Sequence, residues 1–151
     1  MNRDVEYLIE RAAIENLRYG YWYAILDKDA EALVALFTED VELDYGFGNV
    51  LSGKQEARNF FSKLFSDEKL FKQVPRGANG IVEITGPDSG KGRWLVEAVT
   101  LPKDKEEAML ASVQYIEEYK KVDGAWKLCR MKNDYLYFEK ISVSVRPMFR
   151  P

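Results

Sequence analysis

The spacing of apolar residues changes along the chain, and this change constrains the fold more than any other feature. In the first half, apolar residues recur at three- and four-residue steps, as in Val5, Leu8, Ile9, Ala12, Ala13 and Leu17. This spacing predicts an amphipathic helix. From Asn79 onward apolar and polar residues alternate, which predicts strands. Helices followed by an antiparallel meander are typical of an α+β domain.

The alternating half divides into four predicted strands, near residues 79–85, 91–101, 108–120 and 125–138. The dipeptide Asp123-Gly124 lies between the last two and predicts a two-residue hairpin turn. Strands of ten or more residues are longer than usual, and a sheet made of such strands tends to curl. Ligand pockets favour the mouths of curled sheets. We therefore expect a cone of sheet with a pocket at its mouth.

Three helices are expected before this sheet. Aromatic residues crowd all sides of the first helix over 19–26, which predicts burial on every side. Asp29 is suited to cap a second helix over 30–37. Ser52-Gly53-Lys54-Gln55 has the spacing of a capping box and predicts the start of a third. The alternating residues 41–45 predict a strand between the second and third helices.

The residue counts exclude several kinds of chemistry. The 151 residues include no histidine and one cysteine, Cys129. Ser-His-Asp and Cys-His mechanisms, histidine-ligated zinc and histidine-ligated haem are therefore excluded, and no disulfide can form within the chain. We predict no metal site and no cofactor. Proton transfer would use carboxylates, tyrosines or lysines, and Cys129 is expected to be a small buried hydrophobe.

Charge and hydropathy indicate the type of partner. The 22 basic and 25 acidic side chains give a net charge of −3, so nucleic acid is not expected as a partner. No run of eighteen apolar residues is present, which predicts no membrane span. Residues 1–6 are too charged for a secretion signal, so we expect a cytoplasmic protein. The 13% aromatic content favours an aromatic-lined cavity.

Five stretches, taken in order, resemble the SnoaL-like branch of the nuclear-transport-factor-2-like (NTF2-like) superfamily, closest to the scytalone dehydratase and bile-acid dehydratase group. They are residues 13–27, 29–41, 52–56, 79–94 and 119–127. The resemblance implies an NTF2-like (cystatin-like) cone, in which three N-terminal helices close a curved antiparallel sheet. It also implies that residues 1–151 form a single SnoaL-like domain, which associates as a homo-oligomer, a dimer or a trimer.

The resemblance implies three catalytic residues: Asp27, Tyr23 and Tyr45. Asp27 ends the first helix and would sit at the cavity mouth, where burial raises the pKa of a carboxyl group. Its alternative role is a local hydrogen bond at the helix end. The two tyrosines would stabilise charge developing on an oxygen, or else act as core aromatics with the hydroxyl at the surface. Which of residues 21–23 faces the pocket stays open at this point.

A second set of residues is expected to bind the substrate. It comprises Tyr21, Trp22, Arg76, Asn79, Trp94 and Tyr115. Arg76 is suited to an anionic group, although a solvated loop arginine is the alternative. The dehydratase histidines fall near Val74 or Pro75 and near Trp94 in this chain, so a mechanism with a histidine base cannot operate.

These observations favour a cofactor-independent enzyme of the lyase or isomerase type, such as a dehydratase, isomerase or cyclase, acting on a hydrophobic organic substrate by carboxylate and tyrosine acid–base chemistry. The alternative is a binding module that holds a hydrophobic ligand on the same fold without turnover. A third possibility is a structural dimer whose cone is filled by its own side chains. The apolar tail, residues 141–151, is expected to cover the mouth, to pair with another subunit, or to fray.

Overall fold

The computed structural model describes residues 3–67, 70–102 and 107–142. Within these ranges the chain forms three helices and six strands. The helices are α1 (Arg3–Asp27), α2 (Ala30–Val34) and α3 (Lys54–Phe65). The strands are β1 (Phe37–Asp44), β2 (Val50–Ser52), β3 (Leu70–Gly86), β4 (Ser89–Pro102), β5 (Glu107–Val122) and β6 (Ala125–Ser142). The predicted α+β class is confirmed.

The described strands form one curved, unclosed sheet in the order β2-β1-β6-β5-β4-β3. Strands β3 to β6 are an antiparallel meander. Strand β1, however, runs parallel to β6, with Glu42 opposite Arg130. The expectation of an antiparallel sheet is therefore wrong at this one pairing. Alternation of apolar and polar residues is the same for both strand directions, so it carries no information on direction.

The last hairpin has the predicted two-residue turn. Val122 pairs with Ala125, and the residues between them, Asp123 and Gly124, have φ values of 50° and 78°. Two positive φ angles are the mark of the type I′ turn that Asp-Gly favours. This local signal sets the register of β5 against β6 next to the turn, as far as the pair Tyr119 and Leu128. Farther along, the register shifts between Glu118 and Tyr119 and again between Ser112 and Val113.

The predicted starts of α2 and α3 are confirmed, and the predicted end of α2 is wrong. Asp29 caps α2 as expected, since its carboxylate accepts a hydrogen bond from Ala32 N at 2.9 Å. Helix α2 ends at Val34, before the predicted residue 37, because the chain turns there into β1. The predicted start of α3 is confirmed at Lys54, but the capping box is wrong: Gly53 is the N-cap residue and makes no side-chain cap, while the Ser52 backbone N–H donates to Glu56 Oε2 at 2.8 Å.

Helix α1 is buried along one side only. Tyr21 and Trp22 are buried, whereas Tyr19 and Tyr23 are 45% and 65% exposed. The prediction of burial on every side is wrong, because α1 lies on the sheet as an outer layer, with its opposite side towards solvent. Periodicity identified the helix, but the aromatic crowding did not indicate how much of it would be covered.

Two glycines of β3 allow indole rings to lie directly on the strand. A Cβ atom on Gly77 would lie 1.9 Å from the Trp22 ring, and one on Gly80 would lie 2.1 Å from the Trp94 ring. The two indoles meet edge to face, with their ring centroids 5.4 Å apart. This close approach holds α1 against β3 and therefore fixes the side chains of α1 relative to the sheet.

One further expectation, on Cys129, is corrected here. Cys129 is half-buried and not fully buried as predicted, and it lies in β6 at a register shift between Leu128 and Arg130, where it has no partner residue on β5. No helix in the described part of the chain is long and apolar enough to cross a membrane. Residues 143–151 of the predicted tail element lie outside the described residues, and β6 ends at Ser142.

Candidate functional site

A cavity of about 340 Å³ lies between the sheet, α1, α3 and the loop that joins β1 to β2. This volume is within the range of about 300–1,000 Å³ that is usual for small-molecule pockets. The walls are largely apolar, with contributions from Ile25, Phe60, Phe61, Leu64, Met109 and Val113. None of the described lining residues is a carboxylate, a lysine or an arginine. Any polar recognition by these walls must come from hydroxyl and amide groups.

Two tyrosines form a hydrogen-bonded pair at the cavity wall, hereafter the phenol pair. Tyr21 lies on α1 and Tyr45 directly follows β1, and their hydroxyl oxygens are 2.8 Å apart. The Tyr45 ring stacks on Phe60, with 6.2 Å between ring centroids. Each phenol has one proton, and only one proton lies between the two oxygens. The pair therefore retains one O–H donor for a third group.

The phenol pair is neutral at physiological pH. Burial raises the pKa of Tyr21 to about 12, although Arg18 and the hydrogen bond with Tyr45 act in the opposite direction. Burial also raises the pKa of Tyr45 well above its usual value, and that of Tyr115 in the same direction. Because a neutral phenol donates a hydrogen bond but is a very weak base, these side chains are suited to hold an oxygen and not to remove a proton.

A buried ion pair lies behind the tyrosines. The Arg18 and Glu117 side chains have no exposed surface, and Arg18 Nη1 lies 3.2 Å from Glu117 Oε1. The guanidinium carbon of Arg18 is 4.2 Å from the ring centroid of Tyr21, 4.9 Å from that of Trp22 and 5.2 Å from that of Tyr115. Aromatic faces attract a cation at such distances, so three rings replace much of the hydration that Arg18 lost.

The carboxylate end of this ion pair is hydrogen-bonded on its other side. The Tyr119 hydroxyl donates to Glu117 Oε2, and Trp94 Nε1 donates to the Tyr119 oxygen at 3.1 Å. Burial raises the pKa of Glu117, while Arg18 and Tyr119 act to lower it. In contrast, no nitrogen of Arg18 makes a hydrogen bond within the described structure. We call Arg18, Glu117, Tyr119 and Trp94 the buried charge cluster.

The structure brings three of the predicted site residues together. Tyr21, Tyr45 and Tyr115 all line the cavity. The open register around residues 21–23 is thereby settled in favour of Tyr21. Trp22 and Trp94 are buried but do not line the cavity, since they pack on each other and on β3. They support the site from behind.

The remaining four predicted residues lie elsewhere: Asp27, Tyr23, Arg76 and Asn79 are exposed and outside the cavity wall. The cavity-mouth position expected for Asp27 is wrong for a geometric reason. Ile25 lines the cavity, and a residue two positions later on a helix is rotated by about 200°, onto the far side. Tyr23 and Arg76 border a separate open groove of about 310 Å³ together with Trp22.

Sequence reasoning missed Asn133 and Arg18. Asn133 is buried, lines the cavity, and its Oδ1 has no hydrogen-bond partner in the described structure. It lies opposite Tyr115 in the β5–β6 register. Both residues carried a signal in the sequence. Asn133 is a polar residue two positions after Met131, so it shares the buried face of the strand. Arg18 is a charged residue four positions after Ile14, so it shares the buried face of the helix. In the described residues, no cluster of histidine, cysteine, aspartate or glutamate could hold a metal ion.

A curved sheet with helices on one face and an apolar cavity beneath them defines the architecture of the NTF2-like superfamily. The SnoaL-like domain model matches residues 6–132, and this chain belongs to that family. No curated protein matches the chain in sequence.

Solved structures extend the comparison. A candidate scytalone dehydratase from Novosphingobium aromaticivorans is 23% identical, with 92% of this chain and 91% of that chain covered and a TM-score of 0.81. The type 2 hexachlorocyclohexane dehydrochlorinase LinA is 20% identical, with 98% and 97% covered and a TM-score of 0.84. A ketosteroid isomerase-like protein from Erwinia carotovora atroseptica is 22% identical, with 91% and 99% covered and a TM-score of 0.71.

At these identities the likeness shows the fold. The fold family includes dehydratases and isomerases, but the fold alone does not determine which chemistry a member performs. The single domain over residues 1–151, the homo-oligomer and the cytoplasmic location stay predictions.

Proposed function

We propose that this chain binds a small hydrophobic organic molecule in the cavity and holds one oxygen of that molecule, a carbonyl or a hydroxyl, at the phenol pair. The observation that carries the proposal is the position of Tyr21 and Tyr45, hydrogen-bonded at 2.8 Å in the wall of a largely apolar cavity. An enclosed donor without a partner costs about 1–3 kcal/mol. A ligand oxygen removes this cost, whereas a hydrocarbon does not.

Asn133 supplies a second polar contact in this proposal. Its amide is buried at the cavity wall, and its oxygen lacks a partner. A ligand with a second polar group, such as a hydroxyl that donates to this oxygen, would satisfy both positions. An organic molecule with two oxygen substituents therefore suits the cavity better than a plain hydrocarbon.

A second candidate function is cofactor-independent isomerisation or elimination, for which the same pair would stabilise the charge that develops on a substrate oxygen. The observation that favours it is the neutral phenol pair, because such donors are suited to an enolate-like oxygen. The likeness to dehydratase and dehydrochlorinase structures supports it at the level of the fold. The described walls carry no base, so water or the substrate itself would accept the carbon-bound proton. Asp27 and Tyr23 have no part in this proposal, because both are exposed outside the cavity.

The test compares 2-naphthol, which carries a hydroxyl, with 2-methylnaphthalene, which does not. The double variant Tyr21→Phe/Tyr45→Phe removes both hydroxyl groups and keeps both rings. Fluorescence titration should show that the double variant binds 2-naphthol about five- to thirtyfold more weakly, equivalent to about 1–2 kcal/mol. Its affinity for 2-methylnaphthalene should not change. Tyr137→Phe, at an exposed tyrosine of β6, is the matched control.

Equal affinity of the unmodified protein for both naphthalenes would contradict the proposal. For the second candidate, 2-tetralone in deuterium oxide is the probe, and NMR measures the exchange of its α-protons. Exchange faster than in buffer, and lost in the double variant, would support catalysis. Binding without faster exchange would leave the binding function and remove the catalytic one.

A further inference from the structure

The proposed function does not explain why an arginine is buried directly behind the phenol pair. The guanidinium carbon of Arg18 lies 4.2 Å from the ring centroid of Tyr21 and 5.2 Å from that of Tyr115, and both rings line the cavity. One aromatic side chain thus separates the charge from the ligand space. None of the three guanidinium nitrogens makes a hydrogen bond in the described structure, so Arg18 retains its donors, and Glu117 at 3.2 Å is its counter-charge.

The ion pair is oriented with its positive end towards the cavity. Glu117 bonds to Tyr119, which bonds to Trp94, and none of these three residues lines the cavity. The pKa values of the two tyrosines agree with this orientation. Burial has the largest effect on the pKa values of Tyr21 and Tyr115 and raises both. Arg18 lowers these two pKa values more than Glu117 raises them.

Few other charges compete with this field. The titratable groups that face Arg18 are Glu117, Tyr115 and Tyr119 on β5 and Tyr21 on its own helix. Of these, Glu117 is the only carboxyl group, and the described cavity walls contain no carboxylate, lysine or arginine. A unit charge about 8 Å from a titrating oxygen in such a site changes the ratio of the anionic to the neutral form by roughly tenfold or more. The counter-charge of the ion pair partly offsets this effect.

We propose that Arg18 makes the cavity select ligands whose bound oxygen is negatively charged, namely acidic phenols and enols that bind as their anions. This inference rests on the proposed function, since the ligand oxygen must lie at the phenol pair. A neutral oxygen gains the hydrogen bond alone. An anionic oxygen is stabilised in addition by the positive charge of the Arg18 guanidinium, which lies behind the Tyr21 ring.

The test uses 4-nitrophenol, whose anion absorbs visible light and whose neutral form does not. Its absorbance in complex with the protein, measured across pH, gives the pKa of the bound probe. We expect this pKa to lie below that of free 4-nitrophenol. The variant Arg18→Met/Glu117→Gln removes both charges together, which avoids an unpaired buried charge. It should raise the pKa of the bound probe by about one unit, equivalent to a tenfold loss of anion preference.

A second variant preserves the packing and is expected to change the pKa of the bound probe in the opposite direction. Glu117→Gln alone changes one atom type and leaves Arg18 without its counter-charge, so the pKa of the bound probe should fall further. Arg18→Lys keeps the charge and should keep the preference for the anion. The matched control is Arg130→Met/Glu42→Gln, which removes an exposed ion pair on β6 and β1 and should leave the probe unchanged.

The outcomes separate the two proposals. If 4-nitrophenol binds but its pKa in complex is the same in the unmodified protein, Glu117→Gln and the double variant, Arg18 has only a structural role and this inference is overturned. The proposed function would then stand. If neither 4-nitrophenol nor 2-naphthol binds the unmodified protein, both proposals fail.

Discussion

The contact between Gly77 and Trp22 allows one perturbation to be worked out in detail. A methyl group at position 77 would place a carbon 1.9 Å from Cη2 and Cζ2 of the Trp22 ring. The ring cannot move away easily, because it is buried, lies edge to face with Trp94 at 5.4 Å, and is contacted by Arg18 at 4.9 Å. The variant Gly77→Ala must therefore displace α1 from β3 or distort the strand.

The expected cost follows from these contacts. Overpacking in a rigid core costs about 1–3 kcal/mol, and the lower entropy of the unfolded alanine chain returns about 0.5 kcal/mol. We expect a net loss of about 1.5 kcal/mol in the free energy of unfolding and a fall in Tm of about 3–6 °C. Urea and thermal unfolding, followed by circular dichroism, measure both quantities.

Gly20→Ala is the matched control within α1. A Cβ atom there would lie 3.8 Å from Leu36, which is an ordinary contact. Because alanine favours a helix over glycine by about 0.8–1 kcal/mol, this variant should be more stable than the unmodified protein.

A double-mutant cycle tests the mechanism itself. Trp22→Leu removes the indole, so Gly77→Ala should cost clearly less in that background than in the unmodified protein. The reasoning is refuted if Gly77→Ala is neutral, or if its cost is the same with and without the indole.

Two other predictions concern charged residues. Asp27→Asn should leave the affinity for 2-naphthol unchanged within twofold, because Asp27 is exposed outside the cavity; a tenfold loss in the fluorescence titration would restore Asp27 to the site. Hydrogen bonds from Lys121 and Trp126 lower the pKa of Glu10 below its ordinary value of 4.5. The stability that this lowering supplies is therefore present above pH 4.5 and is lost as the pH falls through the folded value. Urea unfolding below pH 4.5 should consequently show a smaller loss for Glu10→Gln than for the unmodified protein, and parallel losses would contradict this.

Local signals in the sequence determined much of the fold. Residue periodicity separated the helices from the strands, and Asp123-Gly124 specified the turn between β5 and β6. Alternation also predicted the strand over 108–120 that carries Tyr115, and the resemblance identified Tyr45 as a site residue. These features depend on neighbouring residues alone, so the sequence contains the information that specifies them.

Tertiary structure decided which side chains meet at the site. The last turn of α1 can direct either Ile25 or Asp27 towards the sheet, and the packing of Trp22 on Gly77 selects Ile25. Burial of Arg18 requires a counter-charge that is 99 positions away in sequence, at Glu117. A charged residue in a buried helical phase is stable only when a distant element supplies its partner. The periodicity of one helix carries no record of that partner, and only the packed fold brings the two together.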